Sequence, residues 1–127
     1  MERCIIEWRH LDVEGETCDR CAETGQAIVE LVHRLQEECR AKGVEILFRE
    51  TRVAAPEIGQ SNLILVNGVP LESLLPGSRA SESSCCSCSE LTGQEECCRT
   101  IIRDDRVYEA IPKEWIREAI CRVARCC

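Results

Sequence analysis

The chain has 127 residues, enough for one domain with its own core and too few for two full domains. Sixteen lysines and arginines against 23 aspartates and glutamates give a formal net charge of −7, so the chain has no global basic footprint, and we expect neither nucleic acid nor an anionic membrane as its partner. No apolar stretch approaches the roughly 18 residues of a membrane-spanning helix, and the first residues are too charged for a secretory signal, so we expect a cytoplasmic protein. Twelve cysteines in such a compartment indicate redox chemistry or soft-metal binding.

The first half of the chain alternates strand and helix patterns. The apolar, β-branched run at residues 4–8 predicts a strand, and a polar loop follows at 12–16. Apolar residues at helical spacing then predict a long amphipathic helix over roughly residues 18–42, ended by Gly43. Residues 44–53 predict a second strand. Two strands joined through one helix form a β-α-β unit with parallel strands.

A hairpin is predicted next. Residues 62–66 form a nearly unbroken apolar run, which indicates a strand buried on both faces. Asn67-Gly68 predicts a tight turn, so residues 69–71 should return antiparallel beside that strand. Pro70 indicates that the returning strand lies at an edge of the sheet.

Residues 72–105 differ from the rest of the chain. A serine-rich run without periodicity and five cysteines predict an insertion or flap within a single domain of residues 1–127, with an order that depends on what the thiols bind. A small hairpin around Asp104-Asp105 ends this segment. Pro112 then fits the first turn of a closing amphipathic helix.

The sharpest local signal is the motif Cys18-Asp19-Arg20-Cys21. Thr17 is a good N-cap, which places Cys18 in the first helical turn, where backbone N–H groups and the helix dipole favour a thiolate. Cys21 lies one turn later, close enough for a disulfide. The first thiolate can attack a substrate disulfide and the second thiol can resolve the mixed disulfide. The same pair can chelate a thiophilic metal, and the plainest alternative is two small apolar residues that begin a helix.

Further thiols are clustered in the insertion and at the closing helix. The spacing of Cys85 and Cys88, followed by an adjacent pair, suits tetrahedral zinc, whereas adjacent cysteines also suit mercury, arsenite or copper(I). A terminal dithiol can pass a metal ion or electrons to an internal site. The candidate metal ligands are Cys85, Cys86, Cys88, Cys97, Cys98, Cys126 and Cys127. The alternatives are a cysteine-rich loop without metal and a frayed helix end without a role.

Isolated cysteines and histidines carry weaker signals. Cys4, Cys39 and Cys121 lie singly within predicted elements and are interpreted as packing residues. His10 follows the first predicted strand and can approach the cysteine motif as a base or a ligand. A lone histidine in a polar loop more often has no such role.

The chain as a whole resembles the thioredoxin superfamily. The order of a β-α-β unit, a β-hairpin and a C-terminal helix resembles an α/β, thioredoxin-like fold, here with a Cys/Ser-rich insertion. The resemblance covers residues 1–71 and 106–125, and it rests on the cysteine motif, the Asn67-Gly68 turn and the Pro112 entry to the closing helix. More narrowly, the chain resembles small prokaryotic thioredoxin-like domains whose function is not established.

The resemblance implies a thiol–disulfide oxidoreductase with a redox protein as its partner. In that reading Cys18 is the exposed attacking thiol and Cys21 is the resolving thiol. In the superfamily a proline at the start of the third strand faces the cysteine pair. Counted back from Asn67, this position falls near Gln60 and Ser61, where the chain has no proline. In the superfamily this proline keeps metal away from the cysteine pair. Without it, metal binding by Cys18 and Cys21 is kept as an alternative.

Three functions are therefore compared. The leading hypothesis is thiol–disulfide exchange through the cysteine motif. The alternative is a non-enzymatic protein that sequesters or transfers a soft metal or metalloid, as heavy-metal resistance requires, with zinc or another thiophilic ion as its cofactor. The third is a small interaction module whose insertion is held together by zinc alone.

Overall fold

A four-stranded mixed sheet is the centre of the fold. The computed structural model of the chain describes residues 2–17, 19–54, 56, 60–84 and 86–127. The strands follow one another in space as β2-β1-β3-β4. Their bounds are β1 (Glu2–Leu11), β2 (Val44–Val53), β3 (Leu63–Val66) and β4 (Val69–Pro70).

The predicted β-α-β unit is confirmed. β1 and β2 are parallel along their whole length, from Glu2 opposite Val44 to Leu11 opposite Val53. The connecting helix α1 (Asp19–Arg40) buries the apolar stripe that its sequence predicts and ends before Gly43, which has a φ of +80°. None of the helices in the described part of the chain is long and apolar enough to cross a membrane.

The Asn67-Gly68 hairpin is also confirmed. Asn67 and Gly68 have φ values of 50° and 80°, which asparagine and glycine tolerate best. The Asn67 backbone N–H donates to the Ile5 carbonyl at 2.8 Å, and its Oδ1 accepts the Ile5 N–H at 2.8 Å. These two bonds join the turn to β1, beside β3.

The predicted insertion contributes two strands to a second, three-stranded sheet, a regular structure that the serine-rich run without periodicity does not indicate. The serine-rich run is a seven-residue strand because its backbone pairs with β6, from Ser78 opposite Arg103 to Ser84 opposite Cys97. The predicted turn at Asp104-Asp105 is confirmed between β6 and β7. The elements of this region are α2 (Leu71–Leu74), β5 (Ser78–Ser84), α3 (Cys86–Thr92), β6 (Cys97–Arg103) and β7 (Arg106–Tyr108).

The closing helix completes the predicted fold. α4 (Lys113–Ala124) follows Pro112 and buries Ile116, Ala119 and Ile120 against α1 and the first sheet. The chain therefore has the α/β, thioredoxin-like fold that its sequence predicts: a β-α-β unit, a β-hairpin and a C-terminal helix, with a Cys/Ser-rich insertion.

Trp8 fixes how closely α1 approaches β1. Its ring is buried, and it stacks on His10 with ring centroids 4.1 Å apart and an angle of 20° between the planes. A Cβ atom placed on Gly25 would lie 2.7 Å from Cζ2 and Cζ3 of Trp8, and nearer still to Cη2. Gly25 is therefore needed because the tryptophan ring occupies the space of a side chain.

We predict that Gly25→Ala lowers the free energy of unfolding by at least about 2 kcal/mol, because the added methyl must displace the Trp8 ring. Helix propensity alone would give the opposite sign, a gain of about 1 kcal/mol. Urea denaturation measures the difference. Gln26→Ala, at the exposed neighbouring position, is the matched control and should change stability by less than about 0.5 kcal/mol. A Gly25→Ala variant as stable as the wild type would contradict this packing.

Candidate functional site

A buried thiol and a buried hydroxyl meet at the start of α1. Cys21 lies in the first turn of α1 and is fully buried. Ser61 Oγ lies 3.0 Å from Cys21 Sγ, within hydrogen-bonding distance, and it accepts the backbone N–H of Leu11 at 3.0 Å. The bond from Leu11 occupies an acceptor position of the hydroxyl, so the serine O–H can be donated to the sulfur. Burial by itself disfavours a thiolate on Cys21, and a hydrogen bond donated by Ser61 offsets part of that cost when the thiolate forms.

Cys18, the predicted attacking thiol, lies outside the described residues. Asp19 is the first residue of α1, so the motif spans the entry to this helix. The attacking role of Cys18 stays a prediction. Cys21, the predicted resolving thiol, is buried, and its role in exchange also stays a prediction.

Ser61 is a candidate site residue that the sequence analysis did not single out. Counting back from the hairpin placed Gln60 and Ser61 opposite the cysteine motif, and the contact between Ser61 and Cys21 confirms this position. What the count did not reveal is that a hydroxyl stands there in hydrogen-bonding distance of the thiol. The one signal in the sequence was that a serine stands at the position where, by the resemblance, the thioredoxin superfamily has its proline.

Asn62, the neighbour of Ser61 in the chain, belongs to a further group of buried polar side chains. Asn62, with a φ of 65°, accepts a hydrogen bond at its Oδ1 from Trp8 Nε1 at 3.3 Å. Asn62 Nδ2 and Thr100 Oγ1 are buried and have no hydrogen-bond partner among the described residues. Both residues line one narrow crevice that also includes Ile64 and Ile111. The crevice is therefore lined by an amide donor and a hydroxyl without hydrogen-bond partners in the described part of the chain.

His10 belongs to β1 rather than to the predicted loop. The strand extends to Leu11 because β2 continues to pair with it there. Its Nδ1 lies 3.1 Å from the Leu11 carbonyl oxygen, and its Nε2 lies 3.4 Å from Glu50 Oε2. These contacts, together with the stacking on Trp8, hold the ring inside the strand pair.

The structure describes only part of the predicted metal set in the insertion. Cys85 lies outside the described residues, and the side chains of Cys86 and Cys98 are not described either. Cys88 is buried in α3, whereas Cys97 is exposed at the start of β6. Within the described ranges, no three histidine, cysteine, aspartate or glutamate side chains are grouped as a metal ion requires. The metal site of the insertion stays a prediction.

The terminal cysteines are paired in two disulfides. Cys39 bonds to Cys126, with Cα atoms 5.1 Å apart, and Cys121 bonds to Cys127, with Cα atoms 5.3 Å apart. Arg125 adopts the left-handed conformation and donates its N–H to the Cys121 carbonyl at 2.9 Å, which turns the chain back toward both partners. The structure therefore pairs two predicted metal ligands, Cys126 and Cys127, with Cys39 and Cys121, and the interpretation of Cys39 and Cys121 as single packing residues is wrong.

Helix α1 separates the two groups of thiols. With 22 residues it is about 33 Å long, and Cys21 and Cys39 lie about 27 Å apart along it. The motif and the disulfides therefore occupy opposite ends of the helix. Direct exchange between them within one chain is excluded while α1 stays folded.

Cys4 is a thiol outside both groups. It lies in β1 with 1% of its surface exposed, and burial raises the pKa of its thiol. A protonated and shielded thiol is a poor nucleophile. The structure thus agrees with the interpretation of Cys4 as a packing residue.

The strand order and the buried thiol at the entry to α1 define an α/β chain of thioredoxin-like topology with a CxxC motif at its first helix. The chain belongs to the family described as a domain of unknown function (DUF2703), which matches residues 4–120. It is 31% identical over 115 residues to an uncharacterized protein of Archaeoglobus fulgidus, and the similarity covers 87% of this chain and 80% of that protein. No solved structure matches the chain.

Proposed function

We propose that this chain is a cytoplasmic thiol–disulfide oxidoreductase of the thioredoxin superfamily that acts through Cys18 and Cys21. One observation carries the proposal. In a thioredoxin-like fold, Cys21 is buried in the first helical turn with the Ser61 hydroxyl 3.0 Å from its sulfur. This is the environment that a resolving thiol needs: shielded from solvent and held by a donor.

The exchange proceeds in two balanced steps. The Cys18 thiolate attacks one sulfur of a substrate disulfide, a bond forms between Cys18 Sγ and that sulfur, and the other substrate sulfur leaves as a thiolate and takes a proton. The Cys21 thiolate then attacks Cys18 Sγ, which closes the Cys18–Cys21 disulfide and releases the second substrate thiol. Two electrons pass from the motif to the substrate. A dithiol redox partner returns them by the reverse steps.

Ser61 supports the second step. As the Cys21 thiolate forms, its charge is buried and needs a donor. The hydroxyl of Ser61 supplies one, and the bond from the Leu11 N–H holds its oxygen in place. Ser61 is therefore a positioning residue that acts through Cys21.

We predict that Ser61→Ala slows closure of the Cys18–Cys21 disulfide about tenfold at pH 7, the effect of losing one hydrogen bond to a charged sulfur. It should also move the pH dependence of this step to higher pH. A rapid-quench experiment that starts from a preformed mixed disulfide on Cys18 measures closure of the Cys18–Cys21 disulfide by itself. Ser61→Thr keeps the hydroxyl and should restore the rate. Equal rates and pH profiles for Ser61→Ala and the wild type would contradict the role of Ser61.

Trapping of the mixed disulfide tests the proposed function. In Cys21→Ser the resolving thiol is absent, so a disulfide substrate should stay bound to Cys18 and add its mass to the chain. The matched control is Cys97→Ser, which removes an exposed thiol of the insertion and should accumulate no adduct. Failure of Cys21→Ser to trap substrate, or an adduct at Cys97 instead of Cys18, would refute the proposal.

A further inference from the structure

The two disulfides formed by Cys126 and Cys127, the cysteines that follow α4, differ sharply in access. Cys39 and Cys126 are 0% and 1% exposed. Cys127 is exposed, and Cys121 is half-buried in the last turn of α4. Disulfide exchange requires a thiolate to reach a sulfur along the line of the S–S bond, so access decides which of the two bonds reacts.

We propose that the Cys121–Cys127 disulfide is a second thiol–disulfide exchange site of this chain, opened by an external dithiol that attacks Cys127. The Cys39–Cys126 disulfide stays closed during this reaction. It holds the residues after α4 against the end of α1, so the exposed disulfide is presented at a fixed place on the surface.

The reaction balances without any further reagent. A thiolate of the external dithiol bonds to Cys127 Sγ, the bond between Cys127 and Cys121 breaks, and the electron pair leaves on Cys121 Sγ, which takes a proton. The second thiol of the dithiol then attacks the dithiol sulfur that is bonded to Cys127 Sγ. The bond to Cys127 breaks, the dithiol becomes a disulfide, and Cys127 leaves as a thiol. Two electrons and two protons pass from the dithiol to the site.

The charges around the site favour this chemistry. Arg122 follows Cys121, Arg125 lies two residues before Cys127, and both arginines are exposed. Two acids of this region are already paired: the Glu118 carboxylate is shared between Arg122 at 3.4 Å and Arg103 at 3.1 Å, and Glu38 contacts Arg117 at 3.0 Å. The two exposed arginines favour the approach of a thiolate and stabilise the thiolate that leaves.

This site works apart from the cysteine motif. About 27 Å of helix separates Cys39 from Cys21, so the motif of the same chain cannot supply the attacking dithiol while α1 stays folded. Cys121 and Cys127 also lie beyond residues 4–120, which the family matches. The second site is thus a property of this chain in addition to the function proposed above.

A timed reduction in the absence of the motif tests the proposal. The oxidised full chain carrying both Cys18→Ser and Cys21→Ser is treated with dithiothreitol, new thiols are alkylated at intervals, and mass spectrometry maps them. Thiols at Cys121 and Cys127 should appear at least about tenfold faster than thiols at Cys39 and Cys126, and as fast as in the wild type. The proposal would be overturned if the two disulfides opened at the same rate, or if Cys39–Cys126 opened first. It would also be overturned if Cys121–Cys127 opened only in chains that keep Cys18 and Cys21.

A monothiol probe locates the sulfur that is attacked. Glutathione added to the same double variant should form its mixed disulfide on Cys127, and a further Cys127→Ser substitution should abolish it while Cys39–Cys126 stays intact. An adduct on Cys121, or no adduct, would overturn the proposed direction of attack. Because Cys18 and Cys21 are absent throughout, either result is independent of the oxidoreductase activity proposed above.

Discussion

Cys18→Ser is expected to lower turnover of a disulfide substrate by at least about 100-fold, because a serine hydroxyl is not ionised at neutral pH and cannot replace a thiolate as the nucleophile. The fold should be unaffected, since the change removes one sulfur at the entry to α1. Turnover of a chromogenic aromatic disulfide, coupled to a dithiol reductant, measures the loss directly.

The matched control for this prediction is Cys97→Ser. Cys97 is exposed and lies in β6, so it reacts with small reagents as readily as any surface thiol. Its replacement should leave turnover unchanged. If Cys18→Ser keeps more than a tenth of the activity, the motif is not the reacting group, and if Cys97→Ser loses activity, the insertion carries the chemistry.

Cys126→Ser is expected to lower the free energy of unfolding of the oxidised protein by about 4 to 5 kcal/mol, since a long closed loop restricts the unfolded chain most. Cys39 and Cys126 are separated by 87 residues, so their disulfide closes a loop around most of the fold. Denaturation in urea under non-reducing conditions measures the effect.

Cys127→Ser is the internal comparison for the disulfide prediction. Its bond to Cys121 spans a separation of only 6 residues, so its loss should cost about 2 kcal/mol in the same treatment. Cys39→Ser should match Cys126→Ser, and the double variant should lose no more than either one. A Cys126→Ser variant as stable as Cys127→Ser would mean that the long cross-link does not stabilise the fold.

The sequence predicted the first sheet well because local patterns determine it. The helical stripe of α1, the long apolar runs of the strands and the Asn67-Gly68 turn each indicate their own structure. Together they allow one arrangement, in which a β-α-β unit is followed by a hairpin. The bounds of β1 were underestimated because its pairing with β2 extends to Leu11, past the end of the apolar run.

The insertion was predicted less well because its structure depends on pairing between distant segments. The run Ser78–Ser84 has no apolar alternation, and its strand conformation comes from backbone bonds to Cys97–Arg103. Backbone pairing of this kind leaves no periodic signal in the sequence. The hairpin at Asp104-Asp105 was predictable because both of its strands are close in sequence.

The disulfides could not be predicted from spacing. Connectivity among many cysteines is not determined by sequence, and the partners of Cys126 and Cys127 depend on where α1 and α4 end in space. The same holds for Ser61, whose contact with Cys21 joins residues 40 positions apart. In both cases the chemistry depends on tertiary packing that follows from the fold.

The most direct test of the account is a thiol map of the wild-type chain, purified without oxygen or chelator and equilibrated in dithiol–disulfide buffers of graded potential. Mass spectrometry of the alkylated peptides should show Cys18 and Cys21 closing and opening together as one reversible two-electron couple, with no metal retained in the native mass. A motif that stays unpaired at every potential, or that holds a metal ion through purification, would contradict the oxidoreductase function.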